Sequence, residues 1–103
     1  MQPLRVGVVG TGWVAQDRYL PVLARSGGAH LVGVADHNSV RVGEVAERYG
    51  VESSSGHLEL LDKGLDLLFV CTSPWSHAEI TMDAATAGVD VMTEKPMAVG
   101  REP

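Results

Sequence analysis

The sequence predicts an α/β fold in which helices cover both faces of a parallel β-sheet of about five strands. Short apolar runs alternate along the chain with segments of helical character, a pattern typical of parallel sheets with right-handed crossovers. The apolar runs at 4–9 and 65–71 lack a regular polar–apolar alternation, as expected of strands buried between two layers of helices. Glycines follow several of these segments and mark their ends.

The five predicted strands differ in the strength of their signal. The first ends at Gly10 and the second is stopped by Asp36. The fourth has the strongest signal of a buried strand, whereas the third is short and weak. The predicted strands span 4–9, 31–35, 51–53, 65–71 and 89–93.

The first two predicted helices have clear boundaries. The first spans 13–26 and contains Pro21, which removes a backbone donor, so we expect a kink or a fresh helical start there. Gly27 and Gly28 end this helix. The second begins after a cap at Asn38 or Ser39 and ends at Gly50. Its apolar stripe consists of Val42, Val45, Ala46 and Tyr49.

The last two predicted helices flank the fourth strand. A short helix is expected near 57–63. The helix after the fourth strand has two alternative starts. Ser76 and Glu79 have the spacing of a capping box, while Ser73 followed by Pro74 would begin the helix one turn earlier. In either case Gly88 ends it.

Composition and charge exclude several classes of protein. The 103 residues suffice for one domain, and the net charge of −5, spread along the chain, offers no basic surface for nucleic acid or an anionic membrane. Cys71 is the only cysteine, so an internal disulfide is excluded and a reducing compartment is favoured. The first residues lack the features of a signal peptide, and no apolar run approaches the roughly 20 residues that span a bilayer, so we expect neither a leader nor a membrane span. We therefore expect a cytoplasmic protein without a membrane or nucleic-acid partner.

A glycine-rich stretch follows the first predicted strand directly. It reads Gly10-Thr11-Gly12-Trp13-Val14-Ala15 and matches the pattern G-x-G-x-x-A. Gly10 permits a tight turn, Gly12 lets the backbone approach a pyrophosphate, and Ala15 keeps the helix close to the sheet. The unpaired N–H groups of the first helical turn would bind the phosphates. An ordinary turn is the alternative, but the strand before the motif and the helix after it favour a dinucleotide site.

Asp36 supports the same interpretation. It ends the second predicted strand at close to the expected spacing of about 20 residues, where a carboxylate accepts hydrogen bonds from ribose hydroxyls. A carboxylate repels a 2′-phosphate, which favours NAD over NADP. His37 and Arg41 leave NADP open, because either could neutralise a phosphate. The alternative role of Asp36 is to cap the next helix, and one residue could serve both purposes.

Two further loops are expected at the same edge of the sheet, where open α/β sheets bind ligands. Thr72-Ser73-Pro74 follows the fourth strand, and His77 in the next helical turn is expected to face the same crevice. A capping or solvent-exposed histidine is the alternative. Glu94-Lys95-Pro96 follows the fifth strand. A lysine held there could hydrogen-bond a reacting hydroxyl or carbonyl and help to transfer a proton. Taken alone, however, a Glu-Lys pair usually indicates only a solvated loop.

Taken together, these features resemble the glucose–fructose oxidoreductase / inositol dehydrogenase (Gfo/Idh/MocA) family. The similarity comprises the G-x-G-x-x-A start, the Thr-x-Pro-x-x-His-x-Glu stretch at 72–79 and the Glu-Lys-Pro at 94–96, and it covers nearly the whole chain in the family's order. It implies a Rossmann-type, doubly wound sheet that binds NAD or NADP. It also implies hydride transfer at a hydroxyl-bearing carbon of a sugar, inositol or similar polyol.

The resemblance implies roles for individual residues as well. Lys95 is the catalytic candidate, and no metal site is expected. The cofactor-binding candidates are Gly10, Thr11, Gly12, Trp13, Val14, Asp36, His37, Thr72, Ser73, Pro74, His77, Glu94, Lys95 and Pro96.

Members of that family continue into a larger α/β domain that supplies most substrate contacts. We therefore expect residues 1–103 to be an NAD(P)-binding domain incomplete at its C-terminus, with the substrate domain absent and no activity on its own. A non-catalytic dinucleotide-binding module is the alternative function, and a piece that does not fold stably is a third. An unpaired sheet edge would favour self-association into a homo-oligomer.

Overall fold

The computed structural model describes residues 2–93. They form a five-stranded sheet with the order β3-β2-β1-β4-β5, in which all neighbouring strands are parallel. The order reverses between β1 and β4, because the chain first adds strands on one side of β1 and then crosses to the other. The strands are β1 (Leu4–Val9), β2 (Ala29–Ala35), β3 (Glu52–Ser54), β4 (Leu67–Val70) and β5 (Asp90–Thr93). The predicted doubly wound parallel sheet is confirmed.

Helices connect each strand to the next. A π-helical segment (Ala15–Tyr19) runs into α1 (Leu20–Arg25), and the remaining helices are α2 (Ser39–Tyr49), α3 (His57–Leu61) and α4 (Pro74–Thr86). None of the helices within residues 2–93 has the length and apolar content that crossing a bilayer would require.

The first helical region differs from the prediction in its hydrogen bonding. A fresh α-helical start does occur beside Pro21, which lies in the first turn of α1. The five residues that precede it, Ala15–Tyr19, are π-helical, however, and the N–H of Leu20 donates to the carbonyl of Ala15. The helix ends at Arg25 with Ser26 as its C-cap, within one residue of the predicted end, and Gly27 and Gly28 form the turn that follows.

The fourth helix follows the earlier of its two predicted starts. Ser73 is the N-cap residue with extended backbone angles, and Pro74 occupies the first turn. The Ser73 side chain makes no capping hydrogen bond. Because proline has its φ preset for a helix and lacks an N–H that would need a partner, Pro74 rather than a serine hydroxyl determines this start.

Two buried clusters lie on opposite faces of the sheet. One contains Val6, Val8 and Val34 of the sheet with Leu20 of α1 and Val45 of α2. The other packs α3 and α4 on the opposite face, and its members are Val9, Ala35, Leu60, Leu61, Leu65, Leu68, Val70, Ile80, Ala84 and Val89. Removing this apolar surface from water on both faces is the main contribution to stability.

Two glycines inside the sheet let α3 approach closely. Gly7 of β1 and Gly33 of β2 are register partners, and both lie beneath Leu60. A Cβ added at Gly7 would stand 3.0 Å from Leu60 Cδ2, and one at Gly33 would stand 3.2 Å from Leu60 Cδ1. Leu60 therefore fills the space that two missing side chains leave, and α3 is seated directly over the sheet.

Candidate functional site

The chemistry-bearing residues converge where the strand order reverses. The loops that follow β1, β2 and β4 meet at the carboxyl edge of the sheet, which is the place where open α/β sheets bind ligands. A crevice of about 250 Å³ lies between them. Its lining consists of Gly10, Gly12, Asp36, His37, Arg41, Cys71, Thr72, Ser73 and Ser76.

Gly10 makes the turn out of β1, and its identity is dictated by the fold. Its φ is +93°, which L side chains rarely adopt. A Cβ there would also lie 2.7 Å from the backbone carbonyl of Cys71 and 2.9 Å from the nitrogen of Thr72. The Gly10 N–H donates to the carbonyl of Ala35 at 2.7 Å. Gly10 therefore brings the loops after β1, β2 and β4 into contact.

Gly12 is glycine for a different reason. A Cβ added there would meet no protein atom within 4 Å, so neither packing nor backbone conformation demands a glycine. The open space in front of Gly12 is the cradle that a side chain would fill and a pyrophosphate could occupy. The helix begins immediately afterwards at Trp13, whose side chain is 67% exposed, and Ala15 is fully buried against the sheet.

Asp36 binds the glycine loop directly. Its Oδ2 accepts hydrogen bonds from the Thr11 N–H at 2.7 Å and from the Thr11 hydroxyl at 2.6 Å. The Arg41 guanidinium donates to the same oxygen at 2.8 Å. Oδ1 accepts only the N–H of Asn38 at 3.1 Å among the hydrogen bonds of residues 2–93. One carboxylate oxygen therefore orders the loop, while the other retains capacity for a ligand.

These donors keep Asp36 ionised. Its side chain is only 11% exposed, and that burial acts to raise the pKa of the carboxyl. The hydrogen bonds from the Thr11 hydroxyl, Arg41 and the N–H groups of Thr11 and Asn38 outweigh burial and hold the pKa well below its usual range. A permanently charged acceptor suits recognition of ribose hydroxyls, which are donors.

The cap of α2 is separate from Asp36. Asn38 caps this helix, and its side chain accepts a hydrogen bond from the Arg41 N–H at 2.9 Å. Asp36 instead supports the turn that leads into the helix, by accepting from the Asn38 N–H. The capping alternative for Asp36 is therefore wrong in this geometry. His37 is exposed and lines the crevice beside Arg41.

The loop after β4 forms the opposite wall. Thr72 and Ser73 line the crevice, and α4 begins at Pro74. His77 is half-buried, and its Nε2 lies 3.0 Å from the carbonyl oxygen of Thr72. A carbonyl only accepts, so this nitrogen carries the proton and donates. His77 thus holds its own loop in place and, among the described residues, is not part of the lining of the crevice.

A second cavity of about 180 Å³ shares the lining residues Asp36, His37, Thr72 and Ser76 with the first. His57 at the start of α3 and Asp83 of α4 are in hydrogen-bond contact, with 2.7 Å between Nε2 and Oδ2. The lining residues of this cavity are Val9, Asp36, His37, Ser55, Gly56, His57, Thr72, Ser76, Glu79 and Ile80. Sequence reasoning did not include Ser55 or His57 in the site. Their position after the weak third strand, at the same edge of the sheet, was the available signal.

Ser55, which lines this second cavity, is held by hydrogen bonds to Glu59. Glu59 Oε1 accepts from the Ser55 N–H and from its hydroxyl, both at 3.0 Å. The hydrogen bond from the Ser55 N–H, and after it the one from the Ser55 hydroxyl, lower the pKa of Glu59.

Glu94, Lys95 and Pro96, which sequence analysis placed at this edge of the sheet, lie outside the described residues.

Comparison with known proteins identifies the domain. A model of the GFO_IDH_MocA oxidoreductase family, described as an NAD-binding Rossmann fold, matches residues 4–102. Galactose 1-dehydrogenase of Pseudomonas fluorescens is 35% identical over 98 residues, which cover 93% of this chain and 30% of that protein. Inositol 2-dehydrogenase of Pseudomonas savastanoi pv. phaseolicola is 30% identical over 102 residues, covering 96% of this chain and 30% of the relative.

A solved structure shows the same architecture. The 3-ketoreductase KijD10 from Actinomadura kijaniata, in complex with NADP and TDP-benzene, matches with a TM-score of 0.84 and 33% identity. The match covers 92% of this chain and 30% of that one. The chain thus spans about 30% of the length of the proteins it matches. The chain belongs to the Gfo/Idh/MocA oxidoreductase family and corresponds to its NAD(P)-binding Rossmann domain.

Proposed function

We propose that this chain is the cofactor-binding part of an enzyme that transfers a hydride between a nicotinamide and a hydroxyl-bearing carbon of a sugar, inositol or similar polyol. The observation that carries the proposal is the junction of the glycine loop with Asp36 at the reversal of the strand order. Relatives named galactose 1-dehydrogenase and inositol 2-dehydrogenase support the substrate class. The nicotinamide, when bound, supplies the site that accepts or donates the hydride.

The dinucleotide is proposed to lie across both cavities. The pyrophosphate takes the open space at Gly12, where the first helical N–H groups favour an anion. The adenosine ribose contacts Oδ1 of Asp36. The adenine enters the second cavity, beyond Asp36, between His57 and Ile80. Polar groups at the rim and apolar side chains below them suit a flat, partly polar base.

The nicotinamide end is proposed to lie against the loop after β4. Thr72 and Ser73 would contact it, with Pro74 at the helix start and His77 keeping the Thr72 carbonyl fixed. The family resemblance places Glu94, Lys95 and Pro96 beside nicotinamide and substrate. In that place Lys95 would hydrogen-bond the reacting oxygen and assist its gain or loss of a proton.

The reaction is proposed for the whole protein, in the reducing environment of the cytoplasm that a single cysteine favours. Hydride transfer requires the two reacting carbons to be held together, and the relatives use a chain about three times as long. We accordingly expect residues 1–103 alone to bind the cofactor without turning over a substrate.

The cofactor is proposed to be NAD, with NADP accepted less well. Asp36 opposes a 2′-phosphate, which favours NAD. Arg41 lies over Asp36 with its side chain 42% exposed, and it could turn from the carboxylate toward a phosphate. Arg41→Met is expected to weaken NADP binding about tenfold and to leave NAD binding within about twofold, with Arg25→Met as a charge-matched control. Equal losses for both cofactors would remove Arg41 from the discrimination.

A spectrophotometric assay tests the enzymatic proposal. The full-length gene product that carries this chain is offered galactose, other aldoses and inositols with NAD or NADP, and reduced nicotinamide is monitored. Turnover of at least one such substrate is expected. Lys95→Ala should lower kcat about a hundredfold or more, because proton transfer typically contributes that much, while Arg25→Ala should not. No turnover on any polyol would refute the reaction, and unchanged turnover in Lys95→Ala would refute the role of Lys95.

A further inference from the structure

We infer that Gln16 is a positioning residue for the cofactor, because it sets the direction of the N–H groups in the glycine loop that meet the pyrophosphate. Arg48 of α2 holds the Gln16 side chain in the orientation that this role requires. Gln16 lies just past the G-x-G-x-x-A pattern, in the π-helical segment, and belongs to no motif of the sequence. The inference rests on the proposed placement of the pyrophosphate at Gly12 and is independent of the substrate.

Gln16 binds two successive carbonyls of the glycine loop. Its side-chain Nε2 donates to the carbonyl oxygen of Thr11 at 2.7 Å, and its backbone N–H donates to the carbonyl oxygen of Gly12 at 3.1 Å. In a trans peptide the C=O and the following N–H point in opposite directions. Fixing these two carbonyls toward the helix therefore turns the N–H groups of Gly12 and Trp13 away from it, toward the open space.

Those two N–H groups are the donors that the loop has left. The Gly10 N–H is used by Ala35, and the Thr11 N–H is used by Asp36. Within residues 2–93, no acceptor is hydrogen-bonded to the N–H of Gly12 or Trp13. Uncompensated donors in the first turn of a helix favour an anionic ligand. The orientation of the Thr11–Gly12 peptide thus decides how many donors face the pyrophosphate.

Arg48 determines which way the Gln16 amide points. Its Nη1 donates to Gln16 Oε1 at 3.2 Å, from a position 32 residues along the chain. A guanidinium only donates, so the amide oxygen must face Arg48, and the amide nitrogen must then face the Thr11 carbonyl, which only accepts. The orientation follows from the chemistry of both partners. Arg48 is exposed on α2 and acts through Gln16.

Fragments of the cofactor separate a positioning role from a merely structural one. Calorimetry and competition against NADH measure the binding of NAD, ADP and adenosine. The proteins compared are the wild-type chain, Gln16→Met and Arg48→Met. Methionine at position 16 keeps the side-chain volume but removes the hydrogen-bond donor. Gln16→Met should weaken NAD and ADP binding on the order of tenfold, the effect of one lost hydrogen bond. Adenosine has no phosphate, so its affinity should stay within about twofold.

The remaining variants control for charge and folding. Arg48→Met should weaken ADP binding in the same direction but by less, Arg48→Lys should restore most of the loss, and Arg25→Met should behave as wild type. Thermal melting without ligand identifies any variant that fails to fold. If Gln16→Met fails to fold, Arg48→Met becomes the decisive variant, because the Arg48 side chain is exposed. Equal ADP binding by wild type and Gln16→Met, or a parallel loss of adenosine, would refute the inference alone. A wild-type chain that binds neither NAD nor ADP would refute the cofactor site itself.

Discussion

The two oxygens of the Asp36 carboxylate have different hydrogen-bond partners. Its Oδ2 accepts three hydrogen bonds, two from Thr11 and one from Arg41, while Oδ1 accepts one from the N–H of Asn38 among the described residues. A residue that only bound ribose would be free to change rotamer without a ligand. Here the carboxylate is already held in place, which would lower the ordering cost of binding the ribose in the proposed site.

The hydrogen bonds of Asp36 predict a pH dependence of stability. Its pKa is lowered on folding, so its contribution to the free energy of unfolding is complete above the unfolded pKa of about 3.9 and decreases as the pH falls below that value. Asp36→Asn should lower the free energy of unfolding by about 1–3 kcal/mol at pH 7. Urea unfolding from pH 7 to pH 3 should show the difference from wild type shrinking below about pH 4, with the exposed Glu44→Gln as the control. A difference that grows at low pH would contradict the assignment.

The sequence predicted some of the residues that line the crevice and not others, for a physical reason. Gly10, Gly12 and Asp36 were found because their types recur at fixed distances from strand ends. The bond between Asp36 and Thr11 joins residues 25 apart and depends on a rotamer, so spacing does not reveal it. The contact between Gln16 and Arg48 could not be predicted for the same reason, since it depends on how the first helix packs beside α2.

At the scale of elements, local chemistry explains most boundaries. Gly50 ends α2 with a φ of +67°, as the glycine stop predicted, and Asn38 rather than Ser39 caps its start. The π-helical turn could not be predicted, because it differs from an α-helix only in the carbonyl that each N–H selects. The one sequence signal near the π-helical turn was Pro21, which has no backbone N–H to donate.

Asn38→Ala should destabilise α2 and, through it, the turn that carries Asp36. The variant loses the hydrogen bond from the Arg41 N–H to the Asn38 side chain, and such caps contribute about 1 kcal/mol. Asn38→Ser should retain most of that free energy, because serine also accepts at this position. Chemical denaturation measures both variants. Equal destabilisation by alanine and serine would mean that the cap does not contribute through its side-chain oxygen.

At the scale of the whole molecule, two buried clusters support one edge of the sheet. The alternation of predicted strands and helices along the chain predicted the layers and the strand directions correctly. In the structure α1 and α2 cover one face of the sheet, and α3 and α4 cover the other. The close seating of α3 was not predicted, because the facing of Gly7 and Gly33 depends on the register between β1 and β2.

Leu60 tests how far stability depends on that seating. The side chain is fully buried over both glycines, so Leu60→Ala leaves a cavity with few groups able to collapse into it. A loss of about 2–5 kcal/mol is expected in urea denaturation. The neighbouring Leu58→Ala, whose side chain is exposed, should change stability by less than about 1 kcal/mol. Similar losses for the two variants would contradict the packing described.

The central claim is that the open space at Gly12 holds the pyrophosphate of NAD(P). Gly10→Ala should be unstable without any ligand, because it places a Cβ on a residue whose φ is positive and within 2.7 Å of the backbone of Cys71, whereas Gly12→Ala should melt as the wild type does.

Thermal melting of wild type and Gly12→Ala with NAD and NADP tests the claim most directly. Ligand at about 100 times its Kd should add roughly 2.7 kcal/mol to the wild type and raise its Tm by about 10 °C or more. Gly12→Ala should show little or no rise at the same concentrations, because its Cβ occupies the space of the phosphates. A wild-type Tm that neither cofactor moves, or an equal rise in Gly12→Ala, would contradict the account.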